Sequence, residues 1–214
     1  KLKPVGKGGV VMQKSVGFLA LVITLTFLAG CASESKKATA KEEGSKEVKP
    51  VAESILITDF EDSSQELITY TGPQSKVTAV YSTEQAKSGK QSAKVTHNTK
   101  DWAGALVVVP KEKGNWTGMK TYRMWVYGSG SNSKFYVDLE DAQKEQFRYV
   151  LTDDFKGWKE IVIPLSDFKW RTDWQAPDAV LNKKFDFPMM TVQFCTANLA
   201  NCTLYFDDIV IDSK

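Results

Sequence analysis

The sequence is poor in soft metal ligands and nucleophiles: 214 residues hold one His, His97, and three Cys. That excludes a zinc cluster of Cys and His ligands and leaves His-based acid–base catalysis a single residue to draw on. Hydrolytic chemistry would have to rest on carboxylates. A charge bias is also missing. Lys and Arg number 28 against 26 Asp and Glu, a formal net charge of +2, and because four Lys and no acid precede Cys31 the remainder carries a net −2. So balanced a chain lacks the basic excess by which nucleic-acid binders hold phosphates. Long helical periodicity is absent too, and the longest apolar run, roughly a dozen residues, is too short to span a bilayer comfortably. What remains is 42% hydrophobic and 25% charged residues, the balance of a folded domain and not of a disordered or collagen-like chain. The length suits one domain with an appendage.

The appendage lies at the amino terminus. Residues 14–31 give a basic flank, an apolar stretch and small residues ahead of Cys31, the make-up of a signal peptide. Leu28-Ala29-Gly30-Cys31 resembles the bacterial lipobox, which implies lipidation of Cys31 and attachment to a membrane through acyl chains; an ordinary secretory signal with a chance Cys is the alternative. Met12 reads as the start, with residues 1–11 upstream of it. Residues 32–54 carry five Lys, five Glu and almost nothing apolar, a disordered tether unable to bury enough surface to order itself. The expected organisation is a leader over 1–31, a tether over 32–54 and a folded domain over 55–214, in an exported cell-envelope lipoprotein. Ala32, standing where Asp would favour retention at an inner membrane, points to the outer membrane or cell surface if the bacterium has two membranes.

From residue 55 onward, short β-rich runs alternate with Gly, Asn, Asp and Pro. Strands are expected over 55–61, 77–82, 91–97, 104–109, 121–127, 134–140, 146–152, 159–163, 190–196 and 203–211. This spacing predicts an all-β fold, a two-sheet antiparallel β-sandwich of jelly-roll type. Gly128-Ser129-Gly130-Ser131-Asn132 is expected to be a hairpin loop; no helix follows it, so it is not a phosphate loop. Cys195 and Cys202 flank six loop-like residues and are expected to staple a hairpin by a disulfide in an oxidising compartment, two reduced thiols being the alternative. Neither has a basic neighbour in sequence to activate it.

Four stretches carry a family resemblance: Trp116-Thr-Gly-Met-Lys-Thr-Tyr-Arg-Met-Trp-Val-Tyr-Gly-Ser-Gly130, Phe155-Lys-Gly-Trp-Lys-Glu-Ile-Val-Ile-Pro-Leu-Ser-Asp-Phe168, Arg171-Thr-Asp-Trp-Gln175 and Leu204-Tyr-Phe-Asp-Asp-Ile-Val210. From about Thr58 to Ile211 the chain resembles carbohydrate-binding module family 11, and a related sandwich occurs in complex I intermediate-associated proteins. The resemblance implies a non-catalytic jelly roll that binds β-glucan, mixed-linkage or β-1,4, along a concave face, with structural calcium. Carried over to this sequence, it implies ligand contacts by Arg171, Asp173 and Trp174, with Tyr70 and Trp102 as cleft aromatics, although Asp101 competes with Trp102 for its position. Tyr149 is a further candidate, and Tyr136 a weaker one, from central strands where aromatics usually serve packing. The chemistry agrees: a pyranose offers a C–H face that aromatic rings cover and hydroxyls that Asp, Arg and Gln satisfy. The bland alternative is that Arg171 and Asp173 merely pair while Trp174 caps the core edge. Around Cys195 and Thr196 the sequence departs from the family, which bears on chain specificity.

For calcium the resemblance implies Glu61 and Asp207, with carbonyls from the Lys87-Ser88-Gly89 turn. Asp59 shares the face of Glu61 by period two and is a reserve ligand. Acids that guard strand edges are the alternative. Three functions compete: a tethered, monomeric glycan-binding protein; an envelope protein-interaction or assembly sandwich; and a glycosidase or lyase drawing carboxylates from Asp138, Glu140, Asp141 and Asp173, for which sequence spacing cannot show the cross-cleft separation required.

Overall fold

A computed structural model describes residues 53–214; the leader, the lipobox and all but the end of the tether lie outside the described residues. Twelve strands follow in chain order: β1 Ser54–Thr58, β2 Ile68–Thr71, β3 Lys76–Ser82, β4 Ser92–Thr99, β5 Trp102–Val108, β6 Thr121–Ser129, β7 Lys134–Glu140, β8 Gln146–Thr152, β9 Lys156–Pro164, β10 Lys169–Trp170, β11 Thr191–Ala197 and β12 Ala200–Asp212. They form two six-stranded antiparallel sheets. The first runs β3-β4-β12-β6-β9 with β1 also on β12, and the second runs β10-β8-β7-β11-β5-β2. The expected two-sheet sandwich is what is observed.

Alternation explains the layers. On β12 the apolar residues Leu204, Phe206, Ile209 and Ile211 are fully buried, and the chain keeps them all inward by a bulge between Asp207 and Val210 that inserts Asp208 at φ 46°. Between the sheets Phe194 and Phe206 stack with centroids 3.8 Å apart and planes 14° from parallel. Each such buried side chain contributes on the order of 2 kcal/mol through lost apolar surface.

Ten strands were expected and twelve are present. β2 and β10 are short and polar enough to pass as loops, and β1 ends at Thr58 because its Oγ1 accepts the N–H of Phe60, which turns at φ 57°. The Gly128–Asn132 segment is not a hairpin: β6 and β7 belong to different sheets, so it arches between them. Its N–H groups and hydroxyls close instead on the buried carboxylate of Asp153, which accepts from Ser129 N, Gly130 N and Ser131 N at 3.0–3.1 Å and from Ser129 Oγ and Ser131 Oγ at 2.7 Å. The glycine–serine loop is thus an anion nest occupied by the protein's own side chain.

The expected disulfide fails for the same topological reason. β11 and β12 sit in opposite sheets, so no hairpin exists for a disulfide to staple. Both thiols are free and buried. Cys202 points into the core, while Cys195 faces out of it, toward Tyr70 and Asp138.

Candidate functional site

Strand parity builds a site on the outer face of the second sheet. β7 sends Phe135, Val137 and Leu139 into the core, so Tyr136, Asp138 and Glu140 stand on the opposite face. By the same rule β8 presents Gln146 and Arg148, β11 presents Gln193 and Cys195, and β5 presents Trp102, Gly104 and Leu106. With Tyr70 on β2 and the segment after β10, these residues other than Tyr136, Asp138 and Gly104 line a cleft of about 760 Å³, a size ordinary for a ligand site.

The floor is a network of ions. Asp138 is fully buried and receives Arg148 through two bonds of 2.7 Å, Nε to Oδ1 and Nη2 to Oδ2, while Arg171 Nη1 donates to Oδ2 at 3.1 Å. Asp173 closes the quartet, accepting from Arg171 Nε at 3.1 Å and Nη2 at 2.9 Å and from Arg148 Nη1 at 3.3 Å. The Arg171 hydrogen bonds hold the Asp173 carboxyl below its ordinary range. Burial works against the charge on Arg148, but Asp138 overcomes it and raises the guanidinium's pKa. Arg148 also lies over the Tyr136 ring at 4.2 Å, and Arg171 over Trp174 at 5.5 Å. Paired, stacked guanidinium groups are fixed in direction before any ligand arrives.

At the other side Tyr70 lies across β5 because Gly104 has no side chain: a Cβ there would stand 2.5 Å from the phenol oxygen. The hydroxyl thereby reaches β11, donating to Gln193 Oε1 at 2.6 Å and meeting Cys195 Sγ at 2.8 Å. Burial pushes the Tyr70 phenol and the Cys195 thiol well up, so both stay neutral. Trp102 packs beside Tyr70, centroids 6.2 Å apart. Trp102 and Trp174 are each 50% exposed, one from β5 and the other from beyond β10, on either side of the Asp138 floor.

Five of the six expected ligand residues, Tyr70, Trp102, Arg171, Asp173 and Trp174, therefore line one cleft. Tyr149 does not: it shares parity with Phe147 and Leu151 on β8 and packs inward, 5.9 Å from Phe168. Asp101 stays out as well, its carboxylate taken up by Ser75 Oγ and the N–H groups of Gln74 and Trp102. Asp138, Arg148, Gln146 and Gln193 went unassigned as ligand contacts in the sequence, although the period-two pattern of β7, β8 and β11 sets them opposite the core residues. Arg171 and Asp173 do pair, as the bland reading had it, but across the cleft floor.

The profile described as "Carbohydrate binding domain (family 11)" matches residues 46–212. The chain belongs to this family. A family 11 domain is a non-catalytic carbohydrate-binding module, and the cleft agrees, since Asp138 and Asp173 are both bound to arginines and Glu140 accepts from Gln146 Nε2 at 2.6 Å. No curated protein matches the chain. Among solved structures it shares its fold with the family 11 module of Clostridium thermocellum in complex with a β-1,3-1,4-mixed-linked tetrasaccharide: 21% identity, TM-score 0.64, 76% of this chain and 97% of that one. A family 11 module of a cellulosomal cellulase of that organism aligns at 20% identity and TM-score 0.65, over 76% and 96%. A family 30 module of another C. thermocellum cellulosomal cellulase aligns at 15% and 0.54, over 75% and 98%.

The acids expected to bind calcium, Glu61 and Asp207, meet at the 87–91 turn of this family 11 module. Asp207 Oδ2 accepts the N–H groups of Lys87 at 2.8 Å and Ser88 at 3.2 Å, and Glu61 Oε1 accepts those of Lys90 and Gln91, both at 2.9 Å. Asp59 Oδ1 accepts the N–H of Glu61. Both carboxylates thus close on the 87–91 turn, the turn whose carbonyls the resemblance implies beside them. Burial raises the Asp207 carboxyl to about 6 despite those bonds. A buried acidic triad that could hold a metal lies elsewhere: Asp141, Glu145 and Asp186, whose ligand atoms fall within 4.8 Å of one another.

Proposed function

We propose that the cleft binds β-glucan chains, mixed-linkage or β-1,4, without cleaving them. The observation that carries this reading is the pair of half-exposed indoles, Trp102 and Trp174, on either side of a prepositioned Asp–Arg floor. Indole faces suit the axial C–H faces of glucose rings, and the fixed carboxylates, guanidinium groups and amides suit the hydroxyl rim. The mixed-linked tetrasaccharide bound by the C. thermocellum module supports the ligand class. An open cleft leaves sugars partly solvated, so affinity is expected between millimolar and micromolar, about −4 to −8 kcal/mol.

Native affinity electrophoresis in gels cast with mixed-linkage β-glucan, xyloglucan, mannan, xylan or no polymer tests this. Retardation in a β-glucan gel, lost in Trp174→Ala, is expected; a folded protein that runs freely in every gel refutes it. We propose further that the module is exported, carried at the cell envelope by acylated Cys31 and held off the membrane by residues 32–54. Cys31→Ser should then abolish both fatty-acid labelling and membrane association in a bacterial host.

A further inference from the structure

Beside the cleft, β10 stops after two residues although its pairing with β8 has another rung to make. Lys169 faces Arg148 and Trp170 faces Phe147, so Arg171 comes opposite Gln146. Half of that rung forms, the N–H of Arg171 donating to Gln146 O at 2.9 Å. In an antiparallel pair the other half is a bond from Gln146 N–H to Arg171 O. Here the side-chain amide of Gln175 stands between those two groups. Its Oε1 accepts the N–H of Gln146 at 2.8 Å, and its Nε2 donates to Arg171 O at 2.8 Å and to Gln146 O at 3.0 Å. The carboxamide is wedged into the ladder as an extra peptide-like group. It ends the strand and closes residues 171–175 into a loop through the last side chain of that loop.

What the wedge holds is the Trp174 side of the cleft. Among the described residues no backbone N–H from Thr172 to Ala179 bonds outside the segment; the next anchor is Val180 N–H, on Gln143 O in the β7–β8 turn. Gln146 carries the hold to the other side. Its side-chain Oε1 accepts from Gln193 Nε2 at 3.1 Å, and Gln193 Oε1 accepts the Tyr70 hydroxyl at 2.6 Å. One residue of β8 thus meets the Trp174 side with its backbone and the Tyr70 side with its amide. Gln175 itself is not among the residues that line the cleft.

We propose that Gln175 is a positioning residue: without touching the ligand, it fixes the loop that presents Asp173 and Trp174 and so sets the indole in place before a glucan arrives. A loop ordered in advance spares the ligand the entropy of ordering it, which raises affinity with no added contact. A half-exposed indole whose recorded ring contact is the Arg171 guanidinium has little packing of its own to do the same. The effect on glucan rests on the glycan-binding reading; the hold on Trp174 does not.

Two variants test this in the full chain. Gln175→Met keeps the length of the side chain and removes all three bonds, whereas Gln175→Glu keeps the acceptor for Gln146 N–H and loses both donated bonds. The sugar-free readout is nitrogen-15 relaxation of the indole N–H groups, with the Trp174 signal assigned by Trp174→Phe. In Gln175→Met the Trp174 indole should gain nanosecond motion while Trp102 and Trp170 keep theirs, the latter held by its bond to Glu145 Oε1. Retardation in mixed-linkage β-glucan gels should show affinity about tenfold lower. Gln175→Glu should fall between wild type and Gln175→Met, and it decides the matter should the methionine variant not fold. An unmoved Trp174 indole would overturn the proposal, as would a loosened indole with affinity retained. Affinity lost with the indole unmoved also overturns it, since Gln175 would then be a ligand contact. Should wild type bind no glucan, the indole signal alone decides the hold on Trp174, so the two failures are distinguishable.

Discussion

Single residues decide how the cleft is presented. Removing the indole in Trp174→Ala takes away one platform and the face on which Arg171 rests, and about a tenfold loss of glucan affinity is expected, measured by gel retardation against polymer concentration. Gly104→Ala acts from the opposite side. Its Cβ would collide with the end of Tyr70, so the phenol must swing out and surrender Gln193 and Cys195; binding should weaken while the melting temperature barely moves. His97 is the residue whose effect is felt through pH. Burial pushes its imidazole down to about 4, and although Phe194's backbone lies near, neither ring nitrogen completes a hydrogen bond among the described residues. The unfolded chain takes up that proton near 6.5, so between about 6.5 and 4 the unfolded state holds more protons and stability falls as pH falls, by up to about 3 kcal/mol. Asp207 works in reverse, its folded carboxyl raised to about 6, so that its contribution is lost as pH rises through that value. Urea melts at pH 7 and 4.5 on wild type and His97→Leu isolate the histidine: the acid-side loss should shrink in the variant. At this scale the sequence was readable where motifs were local, as in Arg171-Thr-Asp-Trp174, and misleading where parity rules, as for Tyr149.

Elements show where the reading by pattern reaches its limit. β7 and β8 match their expected bounds, 134–140 and 146–152, because apolar alternation is intrinsic to a half-buried strand. Sheet membership is not intrinsic to a strand. The Gly128–Asn132 arch and the β11–β12 connection both read as hairpins, yet each joins two sheets, and only long-range pairing distinguishes the two. Asp153 is the lock of the first arch, 21 residues beyond Asn132, and no local signal marks it. Asp153→Ala would strand three amides and two hydroxyls that now close on one carboxylate. About 3 kcal/mol of stability should be lost, a fall of roughly 6–12 °C in melting temperature by calorimetry, with the cleft unaffected once the protein is folded.

For the whole molecule the two sheets divide the labour: the second carries the cleft on its outer face, and the first supplies the opposite wall of the core. That wall hangs on β12, which pairs with β4 over residues 200–206, with β1 over 209–212 and with β6 along its other edge. Phe206→Ala should accordingly destabilise the entire domain, by about 3–5 kcal/mol in denaturant melts, since it empties the stack between the sheets. The position of β12 also has a consequence in time. It comes last of the twelve strands as the ribosome makes them, yet it is the central strand on which β1, β4 and β6 assemble. Until residues 200–212 emerge, β1, waiting since residue 54, has no edge to join, so the first sheet closes only after all its other strands have been made.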